Sequence, residues 1–154
     1  MALINDTFAA WKATIDPNVR ARFERMEAIP AVDYISRRNR LMELAADADA
    51  VFSDVDVLVG PTVPITAPIV KEVAVPEEYF RLNMAALRNT SIVNLLGLCA
   101  VSLPVGRDTS GIPVGFQLVA RNNADAELLA ISLACESVIG MATDVLGTPP
   151  LLVV

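Results

Sequence analysis

Few side chains in this chain could carry out chemistry, because its 154 residues include two cysteines and no histidine. Without histidine, neither a serine nor a cysteine has the commonest general base to activate it. Ser102 falls within a predicted strand, so we interpret its side chain as a core hydroxyl bonded to backbone. Cys99 has no lysine or histidine nearby to activate it, and we interpret it as a packed thiol. We therefore expect no complete active site.

Two charged groups have simple structural explanations. Asp54 and Asp56, spaced i, i+2, could bind a metal ion, but two carboxylates alone are a weak metal site. We interpret this pair as a charge cluster at the end of a helix and expect no metal. A second group is interpreted as a solvated helix face with local ion pairs; it consists of Arg20, Arg22, Glu24, Arg25 and Glu27.

The composition excludes several classes of partner. A formal net charge of -6 argues against nucleic acid, whose binders carry a basic surface. Residues 89–106 form an uncharged stretch of 18 residues, long enough to span a membrane. Its asparagines, serines and proline would be costly in lipid, so we expect it to be buried in protein. Since residues 1–10 do not resemble a signal peptide, we expect a cytoplasmic protein.

The order of predicted elements is that of a mixed α/β domain. Apolar residues at helical spacing predict a helix over residues 31–53. An apolar, β-branched run at residues 56–60 then predicts a strand buried on both faces. The proline-rich residues 61–68 predict a stiff, uncharged loop that packs against protein or lines a pocket.

The second half predicts a helix, a hairpin and a final helix. The first helix starts at Pro76 and ends at Gly97. Strands over residues 100–105 and 113–120 follow, joined by a polar turn. Asn122 or Asn123 is expected to cap the last helix, which ends at Gly140. We expect one domain over residues 1–154, with residues 1–15 and 141–154 peripheral.

Four segments of the chain resemble, in order, segments of the amidase signature family. The run DVLVGPTVP resembles the family's "DVLVTPTxP", and NLLGLCAVSLPVG resembles "NxxGxPAxSLPxG". The run GIPVGFQLV resembles "GLPVGLQLIG", and residues 16–41 resemble the family's lead-in to the first of these motifs. The resemblance covers residues 16–140 and corresponds to the C-terminal third of the family. It implies an α/β fold in which helices flank a mixed sheet.

Members of this family hydrolyse amides, or transfer ammonia as the A subunit of aminoacyl-tRNA amidotransferases, with a Ser–cis-Ser–Lys triad. The triad lies in a Gly/Ser-rich segment, and this chain contains neither Gly-Gly nor Ser-Ser. The resemblance therefore implies a C-terminal portion that contributes sheet core and part of the substrate pocket. The implied partners are a catalytic N-terminal amidase segment, in cis or in trans, and a small amide substrate. No cofactor is implied, and the chain alone is expected to be inactive.

Three residues are candidates for the substrate pocket. By the resemblance, Thr62 and Asn94 lie on segments that approach the substrate. Arg88 is the one charged residue between Arg81 and Arg107. We hypothesise that it faces the pocket and prefers a substrate with a carboxylate; the alternative is a position on the helix surface.

A non-catalytic role remains the alternative. A free-standing descendant of an amidase could act as an oligomerisation or interaction module with a buried apolar interface. In either case we expect a homo-oligomer, because 54% of the residues are hydrophobic and strands without neighbours tend to pair.

Overall fold

The computed structural model of the chain describes residues 10–148, which form helices around a small sheet. The predicted fold class of helices flanking a sheet is confirmed. The helices are α1 (Pro17–Glu27), α2 (Ala31–Ala48), α3 (Pro76–Leu96), α4 (Asp125–Ile139) and α5 (Ala142–Leu146). The strands are β1 (Leu58–Pro61), β2 (Cys99–Arg107) and β3 (Pro113–Ala120), and short 3₁₀ turns cover Asp49–Phe52 and Glu72–Ala74.

Helix boundaries follow from residues that favour them. The carboxylate of Asp16 accepts a hydrogen bond from the Asn18 backbone N–H at 2.9 Å, which caps α1 ahead of Pro17. Pro76 begins α3, where its missing N–H has no intrahelical partner to lose. Gly97 ends α3 with φ of 70°, a left-handed conformation that glycine adopts without strain. The predicted start and end of α3 are confirmed.

The sheet has the strand order β1-β3-β2, so β3 is central. Both pairings are antiparallel, with Val59 opposite Leu118 and Leu103 opposite Phe116. Between Pro104 and Gly106 the register of β2 shifts, which marks a β-bulge. Within residues 10–148 every strand pair is antiparallel, so a mixed sheet would need strands from outside this region.

The core lies between the sheet and α4. Leu118 of β3 and Leu128 of α4 are its most buried large side chains, at 1% and 2% exposure. Leu103, Ala120 and Ala124 complete this buried cluster. Ser132 is also buried, and its hydroxyl donates to the Leu128 carbonyl at 2.7 Å, so no polar group is stranded there.

The expectation that β1 is buried on both faces is wrong for this chain. Leu58 and Val59 are 41% and 60% exposed. The reason is that β1 is an edge strand whose one partner in the described sheet is β3. Apolar residues are also exposed within residues 89–106, which we expected to be buried; Ile92 and Leu95 of α3 are examples.

Two details at the C-terminal end differ from the predictions. Ala124, rather than Asn122 or Asn123, occupies the N-cap of α4, and its side chain makes no capping hydrogen bond. Asn123 adopts φ of 60°, so the chain enters the helix through a left-handed turn. The short helix α5 falls in a region with no predicted structure. Residues 149–154 of that region, and residues 1–9, lie outside the described residues.

No helix within residues 10–148 is both long enough and apolar enough to cross a membrane.

Candidate functional site

The backbone at the start of the loop that follows β1 is fixed by two hydrogen bonds, one with strand β3 and one with helix α3. The Thr62 N–H donates to the Gly115 carbonyl of β3 at 2.9 Å, which continues the sheet pairing by one residue. The Asn89 side-chain amide of α3 donates to the Pro61 carbonyl at 2.7 Å. Helix α3 and strand β3 therefore both hold the point where β1 becomes the loop.

Thr62 is also joined to β2 through its side chain. Its Oγ1 atom lies 2.5 Å from Ser102 Oγ, and either hydroxyl can donate. The pair sits over Gly115, where an added Cβ would lie 2.6 Å from Thr62 Oγ1 and 2.8 Å from Ser102 Oγ. Only glycine leaves room for the two hydroxyls to meet across the central strand.

The interpretation of Ser102 as a core hydroxyl bonded to backbone is wrong. Ser102 is exposed, and its partner is the Thr62 side chain rather than a backbone group. Strand residues alternate between the two faces of a sheet, and Ser102 lies opposite Gln117, not on the buried face with Leu103. Its hydroxyl is available to a ligand or to a further segment that covers this face.

The loop lines a cavity of ≈ 510 Å³, as predicted from its prolines and its lack of charge. Thr62 lies on the wall of this cavity, together with Ala86 of α3 and the Ile112 end of the hairpin. Asp108 is the one charged residue in this lining, and its carboxylate accepts from the backbone N–H groups of Ser110 and Ile112, both at 2.8 Å. Its charge is thus used to close the hairpin turn.

A second, larger cavity of ≈ 740 Å³ opens between α2 and α3 above β1. Most of its lining is aliphatic, and its polar members are Asp47, Asn89 and Gln117. Leu58 and Val59 contribute the exposed side chains of β1 to the same lining.

The structure does not bring the three predicted pocket residues together. Arg88 and Asn94 are both exposed on α3, and neither lines either of these cavities. Within residues 10–148, Arg88 makes no hydrogen bond or ion pair. This position agrees with the surface alternative for the chain taken alone, and the pocket role of Arg88 and Asn94 stays a prediction. Sequence reasoning missed Asn89, Ser102 and Gly115, whose contacts fix the loop.

Charged groups elsewhere form exposed pairs rather than a reaction centre. The ion pairs of α1 were expected to form within the helix. Instead, the Glu24 carboxylate pairs with the Lys12 ammonium, at 2.9 Å, rather than with the nearby arginines. The Lys12 ammonium lowers the pKa of the Glu24 carboxyl, and the Arg81 guanidinium does the same for Glu78.

No group of three potential metal ligands occurs in the described part of the chain, and Asp56 lies before β1 rather than within it.

The surroundings of Cys99 favour its neutral thiol over the thiolate. Burial is the main cause that raises the pKa of this thiol, and the neighbouring Asp125 carboxylate raises it further. A thiol of this kind is a poor nucleophile, which agrees with its interpretation as a packed side chain.

Comparison with known proteins decides the family. The sequence model described as "Amidase" matches residues 2–129. The chain belongs to the amidase family. It is 42% identical over 137 residues to the 2-amino-5-chloromuconic acid deaminase of Comamonas testosteroni, covering 89% of this chain and 30% of that protein. It is also 36% identical to the fatty acid amide hydrolase of Arabidopsis thaliana, over 77% of this chain and 20% of the relative. This amidase-family chain thus spans less than a third of these curated relatives.

Solved structures show that the chain also matches only part of a complete amidase fold. Allophanate hydrolase of Kluyveromyces lactis matches with a TM-score of 0.76 and 26% identity, over 88% of this chain and 22% of that one. A crystal structure described as an amidase matches with a TM-score of 0.72 over 90% of this chain and 32% of that one. Its 22% identity supports the fold alone. The α-helices and the antiparallel sheet described above are therefore a partial amidase fold.

Proposed function

We propose that this chain is the C-terminal portion of an amidase-family hydrolase that cleaves an amide C–N bond. In this proposal, the Ser–cis-Ser–Lys triad lies in a catalytic segment joined in cis or bound in trans. The observation that carries it is the 42% identity to the deaminase over just 30% of that protein. The absence of a Gly-Gly or Ser-Ser pair from this sequence supports a triad located elsewhere.

The chemistry assigned to the catalytic segment needs no group from this chain to transfer a proton. Lysine accepts a proton through the bridging serine, the second serine attacks the carbonyl carbon, and backbone N–H groups stabilise the oxyanion. What this chain supplies is a wall of the pocket at a fixed position. The loop beginning at Thr62 is suited to that task, since hydrogen bonds to β3, β2 and α3 fix it.

We assign to Arg88 the recognition of a carboxylate on the substrate. The guanidinium has no counter-charge within the described residues, so it is free to pair with an anion. The relative with 42% identity is named for a substrate that is a carboxylic acid. In an assembled enzyme, the Arg88→Ala variant is expected to lower kcat/KM for carboxylated amides at least about tenfold and to spare uncharged amides. An equal effect on both substrates would contradict this assignment.

A chimera tests whether this chain completes an amidase-family enzyme, which is the part of the proposed function that does not depend on which C–N bond is cleaved. The corresponding segment of the Comamonas testosteroni deaminase is replaced by this chain, and turnover of 2-amino-5-chloromuconic acid is measured. We expect the isolated chain and the truncated deaminase to be inactive and the chimera to be active. Activity of the isolated chain, or a chimera that unfolds cooperatively but is inactive, would overturn the proposal.

Self-association is a separate expectation for the isolated chain. Several large apolar side chains of α2, α3 and α4 are exposed, and such surfaces favour association. Light scattering of the purified chain at several concentrations gives its oligomeric state. A monomer at all concentrations would contradict the expected homo-oligomer.

A further inference from the structure

We infer that Gln117 is a positioning residue, whose side-chain amide forms hydrogen bonds with the peptide backbone of the catalytic segment. The inference rests on the proposed function, and it names one residue through which this chain would hold that segment in place. It follows from a buried amide that has no partner among the described residues.

Gln117 is a buried polar residue whose side chain lacks a hydrogen-bond partner. It lies within β3 and is 7% exposed, yet its amide makes no hydrogen bond with any residue of 10–148. An amide carries two N–H donors and a carbonyl acceptor, and leaving these groups unpaired away from water lowers stability. Ser132, which is also buried, shows the usual arrangement, because its hydroxyl donates to the Leu128 carbonyl.

The side chain of Gln117 points to the face of the sheet that α4 does not cover. Gln117 lies opposite Ser102 of β2 and opposite Gly60 of β1, and residues paired in this way share a face of the sheet. The next residue, Leu118, belongs to the core against α4, so Gln117 points away from that core. On its own side it lines the ≈ 740 Å³ cavity beside α2 and α3. The amide therefore borders a cavity rather than a packed wall of protein.

Two glycines next to Gln117 on this face leave room for a backbone to approach. A Cβ added at Gly60 would meet no atom within 4 Å. Gly115, two residues before Gln117 on the same strand, also presents no side chain, and the hydroxyls of Thr62 and Ser102 lie above it. Glycine within a strand often marks a place where another backbone comes close. A peptide group placed over Gly60 would bring a C=O and an N–H to Gln117, whose amide can bond to both.

A permanent chain segment fits this position better than a substrate or water does. A substrate leaves after each turnover, and the buried amide of Gln117 would then lose its partner. A bound water needs several polar partners, whereas most of the cavity lining is aliphatic. The matched region makes up 30% of the deaminase, so most of that protein lies outside the region and can supply such a segment.

The same contact would set the position of the catalytic segment relative to the substrate loop. Gln117 lies two residues from Gly115, above which Thr62 and Ser102 meet, and the loop that begins at Thr62 lines the ≈ 510 Å³ cavity. Strand β3 therefore carries both the anchor for the segment and the support for the loop. Loss of the anchor would move the catalytic serines relative to that loop, which lowers kcat more than it changes KM.

The first test compares one substitution in two contexts. Gln117→Met keeps the length of the side chain and removes its hydrogen-bonding groups. In the isolated chain, where the amide has no partner to lose, the melting temperature is expected to rise or to stay within about 2 °C of wild type. In the deaminase chimera it is expected to fall by about 5 °C or more. Ser132→Ala is the control, because its hydrogen bond lies within this chain and its effect should be the same in both contexts.

The second test uses the pH dependence of Gln117→Glu in the chimera. A protonated glutamic acid keeps one donor and one acceptor, whereas its carboxylate can only accept. Burial raises the pKa of such a carboxyl, so lowering the pH restores the donor. Relative to the wild-type chimera, kcat of this variant is expected to rise at least about threefold from about pH 8 to about pH 6, while KM stays within about twofold.

The outcomes separate the anchor from the other partners of the amide. Melting reports the contact without turnover, so an inactive but folded chimera would refute the proposed function while Gln117→Met still tests the anchor. Equal shifts for Gln117→Met in the two contexts would overturn the inference, because the partner would then be water or a group of this chain. So would unchanged melting of the chimera with a KM raised about tenfold, since Gln117 would then contact the substrate. In an active chimera, a pH profile of Gln117→Glu parallel to that of wild type would contradict the positioning role.

Discussion

Thr62 Oγ1 and Ser102 Oγ lie 2.5 Å apart and join the loop after β1 to β2, although 40 positions separate the two residues. Strand β3 runs between them, and the hydroxyls meet above Gly115 because that residue has no side chain. The pair thereby fixes the position of a loop that lines the ≈ 510 Å³ cavity.

Gly115→Ala is expected to separate the two hydroxyls. The new Cβ would approach Thr62 Oγ1 to 2.6 Å, so one side chain must move, and we expect a loss of about 1–3 kcal/mol in the free energy of unfolding. Gly60→Ala is the matched control, since nothing lies within 4 Å of its added Cβ. Urea unfolding measures both variants, and equal midpoints would contradict the role of Gly115.

Thr62→Val removes the hydroxyl while keeping the shape of the side chain. Because Ser102 is exposed, water can replace the lost partner, and we expect a cost of about 0.5–1.5 kcal/mol. Thr62→Ser keeps the hydroxyl and is expected to retain most of that stability. A double-mutant cycle with Ser102→Ala isolates the coupling between the side chains. A coupling free energy of zero would show that the contact contributes nothing to stability.

The sequence predicted the elements that local signals determine. Pro76 and Gly97 are sufficient to delimit α3, because one residue lacks an N–H and the other tolerates a left-handed backbone. The cap of α4 was missed, since Asn122 and Asn123 both favour a cap in isolation and the turn at Asn123 moves that position to Ala124. Local propensity identifies the helix but not which residue occupies its N-cap.

The contacts of the site depend on tertiary structure and could not be predicted. The partner of Ser102 is 40 positions away and becomes its neighbour when β1 and β2 flank β3. The exposure of Val59 depends on what covers β1, whereas its apolar, β-branched side chain correctly predicted a strand. Arg88 can be identified from its isolation in the sequence, but it makes no hydrogen bond or ion pair with the described residues that would indicate its role.

Leu128→Ala is expected to weaken the core between α4 and the sheet. The side chain is 2% exposed, and its truncation would leave a cavity, so we expect a loss of about 2–5 kcal/mol. Leu133→Ala on the same helix is the control, because Leu133 is 66% exposed and its truncation is expected to change stability by less than about 0.5 kcal/mol. Similar unfolding midpoints for the two variants would place the core elsewhere.

Because of Cys99, the free energy of unfolding is expected to decrease as the pH becomes alkaline. Burial and Asp125 raise the pKa of the folded thiol, so above about pH 8.5 the unfolded chain loses this proton first. The stabilisation that Cys99 contributes is complete below that pH and is lost as the pH rises through the raised pKa of the folded thiol. Urea unfolding from pH 7 to pH 10 measures the decline, and Cys99→Ala should make it shallower. An identical pH profile for Cys99→Ala would contradict the prediction.

Arg107 is expected to anchor α5 against the hairpin. Its guanidinium donates to the Gly111 carbonyl and to the Leu146 carbonyl, each at 2.7 Å, and so links the turn after β2 to the last helix. Arg107→Ala should release α5, and the amide of Gly147, which bonds to the Thr143 carbonyl, should then exchange with solvent at least about fivefold faster.

The matched control for this anchor is Arg121→Ala. Arg121 pairs with the Glu127 carboxylate at 3.0 Å on an exposed face, and such a pair contributes less than about 1 kcal/mol. Its loss should leave exchange at Gly147 unchanged, because Arg121 donates to Glu127 and not to α5. Hydrogen exchange followed by mass spectrometry compares the two variants. If Arg107→Ala also leaves Gly147 protected, the packing of α5 on β2 is sufficient to hold the helix, and the two hydrogen bonds are not its anchor.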